Sequence, residues 1–201
     1  MQRKTLVLGG VCISLLGVVC LANGAYIQAK AVLAQYLLQS AWEQTLQGGA
    51  KVMPWSWADT WPLARLSVPG HASDLIVLEG ATGRTLAFAP GHLQGTPAPG
   101  DKGFSVISAH RDTHFSFLQY LRVGDSMRLQ TRYGKELEYR VTAAQIVDSR
   151  DALIADDDGV RGIMLVTCYP FDSLRAGGPL RYIVYAEVSE TKSQAIDNKG
   201  I

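Results

Sequence analysis

The chain has 201 residues, a length that suits one domain with an appendage. Its formal net charge is +1 and 18% of its residues are charged, which excludes the strongly basic surface of a typical nucleic-acid-binding protein. Hydrophobic residues make up 47% of the chain, an ordinary share that an apolar N-terminal segment raises.

The N-terminal segment predicts a membrane helix. Arg3 and Lys4 precede an uncharged stretch that continues as far as Ala29. Crossing a bilayer as a helix takes roughly 20 apolar residues, and basic residues before the helix favour an N-terminus inside the cell. We therefore predict a retained anchor over residues 1–24, with a cleaved signal peptide as the rival interpretation.

Residues 25–60 are predicted to form a helical stalk and a tryptophan-rich linker. The stalk, 25–47, is rich in Ala, Leu and Gln, and two glycines end it. Three of the four tryptophans lie between Pro54 and Pro62. We expect these indoles to insert into the surface of the domain. Contact with the membrane interface and the lining of an apolar groove are the alternatives.

The sequence pattern from residue 61 to residue 190 predicts a mainly β domain. Short apolar runs bounded by Gly, Pro, Asp or Asn are typical of strands, here Ala64–Val68, Ser73–Leu78, Thr85–Ala89, Gly103–Ala109, Ser126–Thr131, Leu137–Val147, Gly162–Cys168 and Leu180–Val188. Tyr133-Gly134 predicts a hairpin turn, and residues 114–121 predict one short helix. Eight strands with few helices favour a closed or nearly closed β-barrel. The polar tail, 191–201, is predicted to fray.

Cys168 is the one cysteine outside the N-terminal segment. Cys12 and Cys20 lie inside that segment and are interpreted as small apolar side chains. An unpaired thiol in an exported domain is either a reactive nucleophile or a buried, inert side chain. Cys168 ends an apolar run, and the following Tyr169-Pro170 stops the strand. The next predicted strand opens at 180, so two adjacent strands would bring Arg181 beside Cys168.

Arg181 and His110 are the other candidate site residues. Arg181 lies among apolar residues, where a charge is costly unless it is paired or functional. It is either salt-bridged to an acid such as Asp172 or a cation that stabilises an oxyanion. His110 follows a predicted strand and is either a solvated residue or a proton donor to a leaving amine, with His114 as a competitor. Thiol, imidazole and guanidinium are the groups that acyl transfer through a thioester requires.

Metals and cofactors are not expected. A zinc site built from His110, His114 and Cys168 is disfavoured, because a closed site takes four ligands. The acidic run 156–159 is interpreted as a solvated turn, which leaves a calcium requirement open. The two further histidines stand in loop-like contexts and are expected at the surface: His71 and His92.

These motifs resemble those of the sortases, which are membrane-anchored cysteine transpeptidases. The resemblance covers roughly residues 61–188 and rests on a His at a strand end, a Thr-Cys strand end and a following Arg. Three segments look most like the Gram-negative branch of the family: 54–66, 110–115 and 167–171. The chain departs from the family pattern at Ala109, where Gly is common, and at Met164, where Thr is common.

The resemblance implies an eight-stranded β-barrel with short helices, preceded by the membrane helix. It implies that the Cys168 thiolate attacks the substrate carbonyl, that Arg181 stabilises the oxyanion and that His110 protonates the leaving amine. Thr167 would orient the thiol or donate a hydrogen bond near the oxyanion. Further candidate substrate contacts are Ala109, Tyr169 and Leu180.

The resemblance also implies partners and a location. The substrate would be a membrane-tethered protein with a C-terminal Leu-Pro-x-Thr-Gly-like motif, and the acceptor an amine at the cell envelope. The chain would span the inner membrane once, with its catalytic domain on the periplasmic side, and no nucleic-acid partner is expected. The alternative is a non-catalytic, envelope-anchored β-domain that binds protein or glycan, in which the three site residues would be unrelated.

Overall fold

The computed structural model describes residues 2–150, 159–173 and 177–189. The predicted polar tail, 191–201, and the acidic residues 156–158 lie outside this part of the chain.

One long helix, α1, begins at Gln2 and ends at Leu46. A 45-residue helix is about 68 Å long at 1.5 Å per residue. From Gly9 onward it is long and apolar enough to cross a membrane, and no part of its most apolar window is buried against the protein; it is the one such helix among the described residues. The predicted stalk is thus the C-terminal half of the same helix, and Gly48, with a φ of 101°, follows its end.

Eight strands form the rest of the framework. They are β1 Pro62–Val68, β2 Ser73–Glu79, β3 Gly91–His92, β4 Gly103–Ser108, β5 Ser126–Thr131, β6 Glu136–Asp148, β7 Arg161–Cys168 and β8 Leu180–Val188. They close into a barrel in the order β1-β2-β3-β4-β7-β8-β6-β5. The pairs β2–β3 and β4–β7 are parallel and the others antiparallel. The predicted mainly β fold with an eight-stranded barrel is confirmed.

The helices within the domain are short. They are the 3-10 helices η1 Pro69–His71 and η2 Ser116–Tyr120, and α2 Gly83–Leu86. The short helix predicted over residues 114–121 is confirmed as η2. The hairpin turn is confirmed as well, since Gly134 has a φ of 77° and its N–H donates to the carbonyl of Thr131 at 2.9 Å.

The strand predicted at Thr85–Ala89 is wrong. This segment begins in α2, whose first turn is capped by the Thr82 hydroxyl accepting from the Thr85 N–H at 3.4 Å. The strand that completes the set of eight is β3, which has two residues and is too short to show an alternating pattern. It passes so close to Gly80 that a Cβ on Gly91 would lie 2.3 Å from the Gly80 carbonyl oxygen.

His92 is also misassigned by the sequence, which predicts a surface residue. It is 4% exposed in β3, and its Nε2 lies 3.0 Å from the Pro97 carbonyl oxygen and 3.1 Å from the Thr96 hydroxyl. The loop that follows β3 supplies both polar partners of the buried ring.

Apolar side chains fill the barrel. The alternation along β5 and the first half of β6 sends every second side chain inward, as expected for strands with one buried face. The largest fully buried members of this core include Leu66, Phe115, Ile107, Met127, Leu129, Tyr139, Ile163 and Leu165. Apolar side chains therefore occupy the barrel interior, and polar side chains lie on its outer face and at the strand ends.

A second apolar cluster fixes α1 to the barrel wall. Leu38 is fully buried against Leu78 and Ala89, and Trp55 and Phe88 pack around them. The Gln35 side-chain amide donates to the Phe88 carbonyl at 2.9 Å. The expected insertion of the linker indoles holds for Trp55, whose ring centroid lies 4.9 Å from that of Phe88.

The same expectation is wrong for Trp57, which is 82% exposed.

Candidate active site

Cys168 and Arg181 lie opposite each other on neighbouring strands. The antiparallel register of β7 and β8 pairs the last residue of β7, Cys168, with Arg181, the second residue of β8. Residues paired in this way project from the same face of the sheet, with Cβ atoms about 4.5–5.5 Å apart. Cys168 is half-buried and its thiol is free. The sequence prediction that these two residues lie side by side is confirmed.

Arg181 is held by backbone carbonyls. Its Nη1 donates to the Gly178 carbonyl at 2.7 Å and to that of Leu180 at 2.9 Å. Among the salt bridges of the described residues, none joins Arg181 to Asp172, the partner that the sequence suggested. These bonds fold the side chain back over the end of the β7–β8 loop, on the side where β8 begins.

Arg181 also acts on a carboxylate across the β6–β8 pair. The pKa of Asp148 is lowered to about 2, chiefly by hydrogen bonds from Arg150 and to a smaller degree by the charge of Arg181. The register pairs Asp148 with Leu180, the neighbour of Arg181. The cationic side chain thus lies between the Cys168 strand and an ionised carboxylate.

His110 comes into the site from β4. In the parallel β4–β7 pair Ser108 is level with Val166, and the Ala109 N–H donates to the Val166 carbonyl at 3.2 Å. Two residues past this last pair, His110 follows β4 and Cys168 ends β7, so both residues lie at the same end of the β4–β7 pair. Its side chain is exposed, and its carbonyl accepts from the Phe115 N–H at 3.0 Å, which closes the turn before η2. Strand pairing therefore brings His110, Cys168 and Arg181 to one barrel end.

Thr167 ties the end of β7 to the residue before His110. Its side chain is buried, and its hydroxyl donates to the Ala109 carbonyl at 2.8 Å. Because successive residues of a strand face opposite sides, Thr167 points away from the Cys168 side. A threonine hydroxyl carries one proton, so donation to an oxyanion, one of the two roles implied for Thr167, is not the arrangement found.

Arg111 makes a second connection between the same two segments, one that sequence reasoning missed. The residue is 5% exposed, its Nη2 donates to the Ser173 carbonyl at 2.7 Å, and its Nε lies 3.3 Å from Asp112 Oδ1. Ser173 belongs to the loop that follows Cys168. The one signal in the sequence was the position of Arg111 next to His110. An Arg-Asp pair is also typical of a solvated turn, so this position alone did not indicate a buried side chain.

The predicted substrate contacts separate into two groups. Ala109 is 5% exposed and both of its backbone polar groups are bonded, so it serves the framework. Tyr169 and Leu180 are half-buried beside the pair of Cys168 and Arg181, and the Tyr169 N–H donates to the Leu180 carbonyl at 3.1 Å. The Tyr169 ring lies 6.3 Å from that of Phe171 and 6.4 Å from that of Tyr182.

His114 is a half-buried neighbour of His110. Burial lowers the pKa of His114 below its ordinary value of 6.5, the charge of His110 lowers it further, and the Phe88 carbonyl acts in the opposite direction. Its Nδ1 lies 3.4 Å from the Thr113 hydroxyl. Within residues 2–150, 159–173 and 177–189, no three His, Cys, Asp or Glu side chains are grouped closely enough to hold a metal ion.

Comparison with known proteins identifies the family of the chain. The sortase domain model matches residues 66–189, and the chain belongs to the sortase family. Sortase D of Bacillus subtilis (strain 168) is 35% identical over 123 residues, which cover 61% of this chain and 61% of that protein. The matched region therefore falls short of two thirds of that relative's length.

Solved structures of sortases share the fold. Sortase A from Corynebacterium diphtheriae is 25% identical, with a TM-score of 0.60 over 80% of this chain and 86% of that one. Sortase C-1 from Actinomyces oris is 28% identical, with a TM-score of 0.57 over 64% and 72%. A Clostridium perfringens sortase D5 transpeptidase is 21% identical, with a TM-score of 0.59 over 75% and 88%, a likeness of fold alone.

Proposed function

We propose that the chain is a cysteine transpeptidase that cleaves a Leu-Pro-x-Thr-Gly-like sorting motif between Thr and Gly and transfers the new C-terminus to an amine. The observation that carries the proposal is the meeting of three strand ends. The β7–β8 register sets Cys168 opposite Arg181, and the parallel β4–β7 pairing brings His110 and Cys168 to the same end of the barrel. Membership of the sortase family supports this assignment.

The proposed reaction has two stages. The Cys168 thiolate attacks the threonine carbonyl carbon, and the negative charge that develops on the carbonyl oxygen is stabilised by Arg181. The Thr–Gly C–N bond then breaks, His110 gives its proton to the leaving amine, and a thioester remains on Cys168. In the second stage an acceptor amine attacks the thioester and gives a proton to His110, and the thiolate leaves.

Anchoring through α1 completes the proposal. With Arg3 and Lys4 on the inner side, α1 would cross the inner membrane once and the barrel would lie on the periplasmic side. The substrate is then a protein held at the same membrane, and confinement to one surface raises the effective concentration of each partner for the other.

Two finer assignments belong to the same proposal. The placement in the Gram-negative branch rests on the segments 54–66, 110–115 and 167–171, while the relatives compared above are sortases A, C and D. The chemistry is proposed to run without a cofactor, because thiol, imidazole and guanidinium supply each step. Adding calcium or a chelator to the assay below tests this point.

Intact-mass measurement tests the function. The protein is mixed with Leu-Pro-x-Thr-Gly peptides and no amine acceptor. A mass gain equal to the peptide truncated after Thr, absent in Cys168→Ala, identifies the thioester and its nucleophile. A Cys168→Ala variant that still cleaves the peptide would exclude the mechanism.

The same measurement separates the enzyme from the alternative, an anchored β-domain that binds protein or glycan. A binding domain keeps its function after iodoacetamide treatment, whereas the proposed enzyme loses activity as one thiol is alkylated. A folded protein with an unreactive Cys168, and no adduct across a panel of motifs, would favour the binding domain.

A further inference from the structure

A groove of about 540 Å³ lies between the C-terminal half of α1 and the tryptophan-rich linker. Its walls are mostly apolar, and their main members are Leu33, Leu37, Trp55, Trp57 and Phe88. The proposed transpeptidase reaction uses none of these side chains, so the groove calls for a separate explanation.

The groove begins where the uncharged stretch of α1 ends. Lys30 is the first charged residue after Lys4, and it lines the groove. At 1.5 Å per residue, Leu33 lies about 6 Å and Leu37 about 12 Å beyond Ala29 along the helix axis. The polar layer on each side of a bilayer is roughly 5–7 Å thick. With α1 across a membrane, the groove opens at the level of the lipid headgroups and extends just outside them.

Large apolar side chains remain exposed at this level. Trp57 is 82% exposed, and on the adjoining turns of α1 the exposure is 64% for Val32, 56% for Leu33 and 70% for Tyr36. Contiguous apolar surface of this kind marks an interaction site in a folded protein. Trp and Tyr are the residues enriched where a protein meets the membrane–water interface.

The charges at the rim favour an anionic partner. Arg84 and Asp59 lie 3.7 Å apart and offset each other, so the positive charge of Lys30 remains. The ammonium group of Lys30 lies 5.3 Å from the centroid of the Tyr26 ring, one turn nearer the membrane. With α1 across the membrane, this ammonium group would lie at the same depth as the phosphate groups of the lipids.

We propose that this groove is a binding site for an anionic phospholipid, with the indole of Trp57 in the interfacial layer and Lys30 beside the headgroup. The proposal rests on the anchoring through α1 proposed above. A lipid bound here would fix the height of the active site above the membrane. Phe88 lines the groove, and its carbonyl accepts from Gln35 of α1. The same carbonyl faces His114, the neighbour of His110. The site would then lie close to the surface from which a membrane-tethered sorting motif emerges.

Fluorescence quenching in lipid nanodiscs tests the lipid site on the full chain. Discs contain phosphatidylcholine and phosphatidylglycerol, with or without bromine on the acyl chains near the glycerol. The contribution of Trp57 is the difference between the wild type and Trp57→Phe. We expect brominated lipid to remove most of this difference and iodide in the buffer to leave it nearly unchanged. Quenching by iodide without quenching by brominated lipid would overturn the proposal.

Two reporters control the measurement. Val123 is 69% exposed and precedes β5, whose first residues pair near Val68, at the end of β1 opposite the linker. In the Trp57→Phe background, Val123→Trp should be quenched by iodide alone; equal quenching by brominated lipid at both positions would contradict a specific site. Val19→Trp, in the same background, tests the anchor in discs whose lipid carries bromine near the ends of the acyl chains, because a residue in the middle of a spanning helix lies at that depth.

The two proposals can fail separately. If Val19→Trp is quenched by brominated lipid and Trp57 is not, the anchor stands and the groove proposal is wrong. If neither is quenched, α1 does not enter the bilayer and the anchoring is wrong as well. A further arm replaces phosphatidylglycerol with phosphatidylcholine. The quenching of Trp57 by brominated lipid should fall on this exchange in the wild type and stay the same in Lys30→Glu. Sensitivity retained in Lys30→Glu would contradict the role of Lys30.

Discussion

The hydroxyl of Thr167 donates a hydrogen bond of 2.8 Å to the carbonyl oxygen of Ala109, across 58 positions of sequence. The bond joins the residue before Cys168 to the residue before His110. On the other side of His110, Arg111 donates to the Ser173 carbonyl at 2.7 Å. The candidate proton donor is thus flanked by two bonds to the segment that carries the candidate nucleophile.

Thr167→Val should impair acylation more than it affects folding. The variant keeps the shape of the side chain but leaves the buried Ala109 carbonyl without its donor, which costs about 1–3 kcal/mol. If that energy is lost mainly as misplacement of His110, the acylation rate falls about 10- to 100-fold. Stopped-flow acylation and thermal unfolding measure the two effects, and Thr167→Ser should retain most of the activity. An unchanged rate in Thr167→Val would show that the bond serves stability alone.

Arg111→Met should reduce both stability and acylation. Methionine fills part of the space but cannot donate to Ser173, so the loop after Cys168 loses its link to the His110 turn. We expect a loss of about 1–3 kcal/mol in the free energy of unfolding and a slower acylation step. The matched control is Arg122→Met, since Arg122 is exposed. If the two variants behave alike, the link between the loops does not contribute.

Arg181→Lys should lose most of the transpeptidase activity although it keeps the positive charge. The guanidinium donates from one nitrogen to two carbonyls and has further donors in a fixed plane for the substrate, a geometry that an ammonium group cannot reproduce. Removing a donor to an oxyanion costs about 10²–10³ in kcat. Steady-state kinetics measure this, and rates near those of the wild type would reduce Arg181 to a structural role.

His110→Ala and His114→Ala should differ sharply. His110 follows the end of β4 beside the β7 end that carries Cys168, while His114 lies four residues further on, beside the Phe88 carbonyl. We expect the loss of general acid–base catalysis, about 10²–10⁴-fold, for His110→Ala alone. Parallel assays of thioester formation and of transfer to an amine check this. The opposite ranking would assign the proton transfers to His114.

His114 should make the fold less stable in mild acid. Burial holds its pKa below 6.5 in the folded protein, so between 6.5 and that lower value the unfolded chain binds more protons than the folded chain. The free energy of unfolding therefore falls as pH decreases through this window and is unaffected by His114 above it. Denaturant unfolding of the wild type and of His114→Gln at a series of pH values measures the difference. An identical pH dependence would contradict the assignment.

The sequence predicted the strands that form runs of several residues and missed the one that is too short for a run. Seven of the eight predicted strands overlap strands of the structure, because short apolar runs bounded by turn residues are typical of strands. β3 has two residues, which is too few for any pattern, and it exists because β2 and β4 pair with it from both sides. The capping of α2 by Thr82 likewise overrode the apolar run that suggested a strand at Thr85–Ala89.

The candidate site was predicted in part for the same reason. Cys168 and Arg181 are joined by one loop between antiparallel strands, so their proximity follows from the sequence. The partners of Thr167 and Arg111 lie 58 and 62 positions away in the sequence. The residues around an arginine do not show whether it bonds a distant loop or is solvated.

Local patterns in the sequence determined the apolar helix, the strands and the chemical identity of the site residues, because periodicity and residue type are properties of short segments. Tertiary structure alone decided which strands distant in the sequence are neighbours, that His110 and Cys168 lie at the same barrel end, that Thr167 turns its hydroxyl to Ala109, and that Trp57 stays exposed beside α1. Those features depend on contacts between segments far apart in the chain, which form only when the barrel closes and α1 packs on its wall.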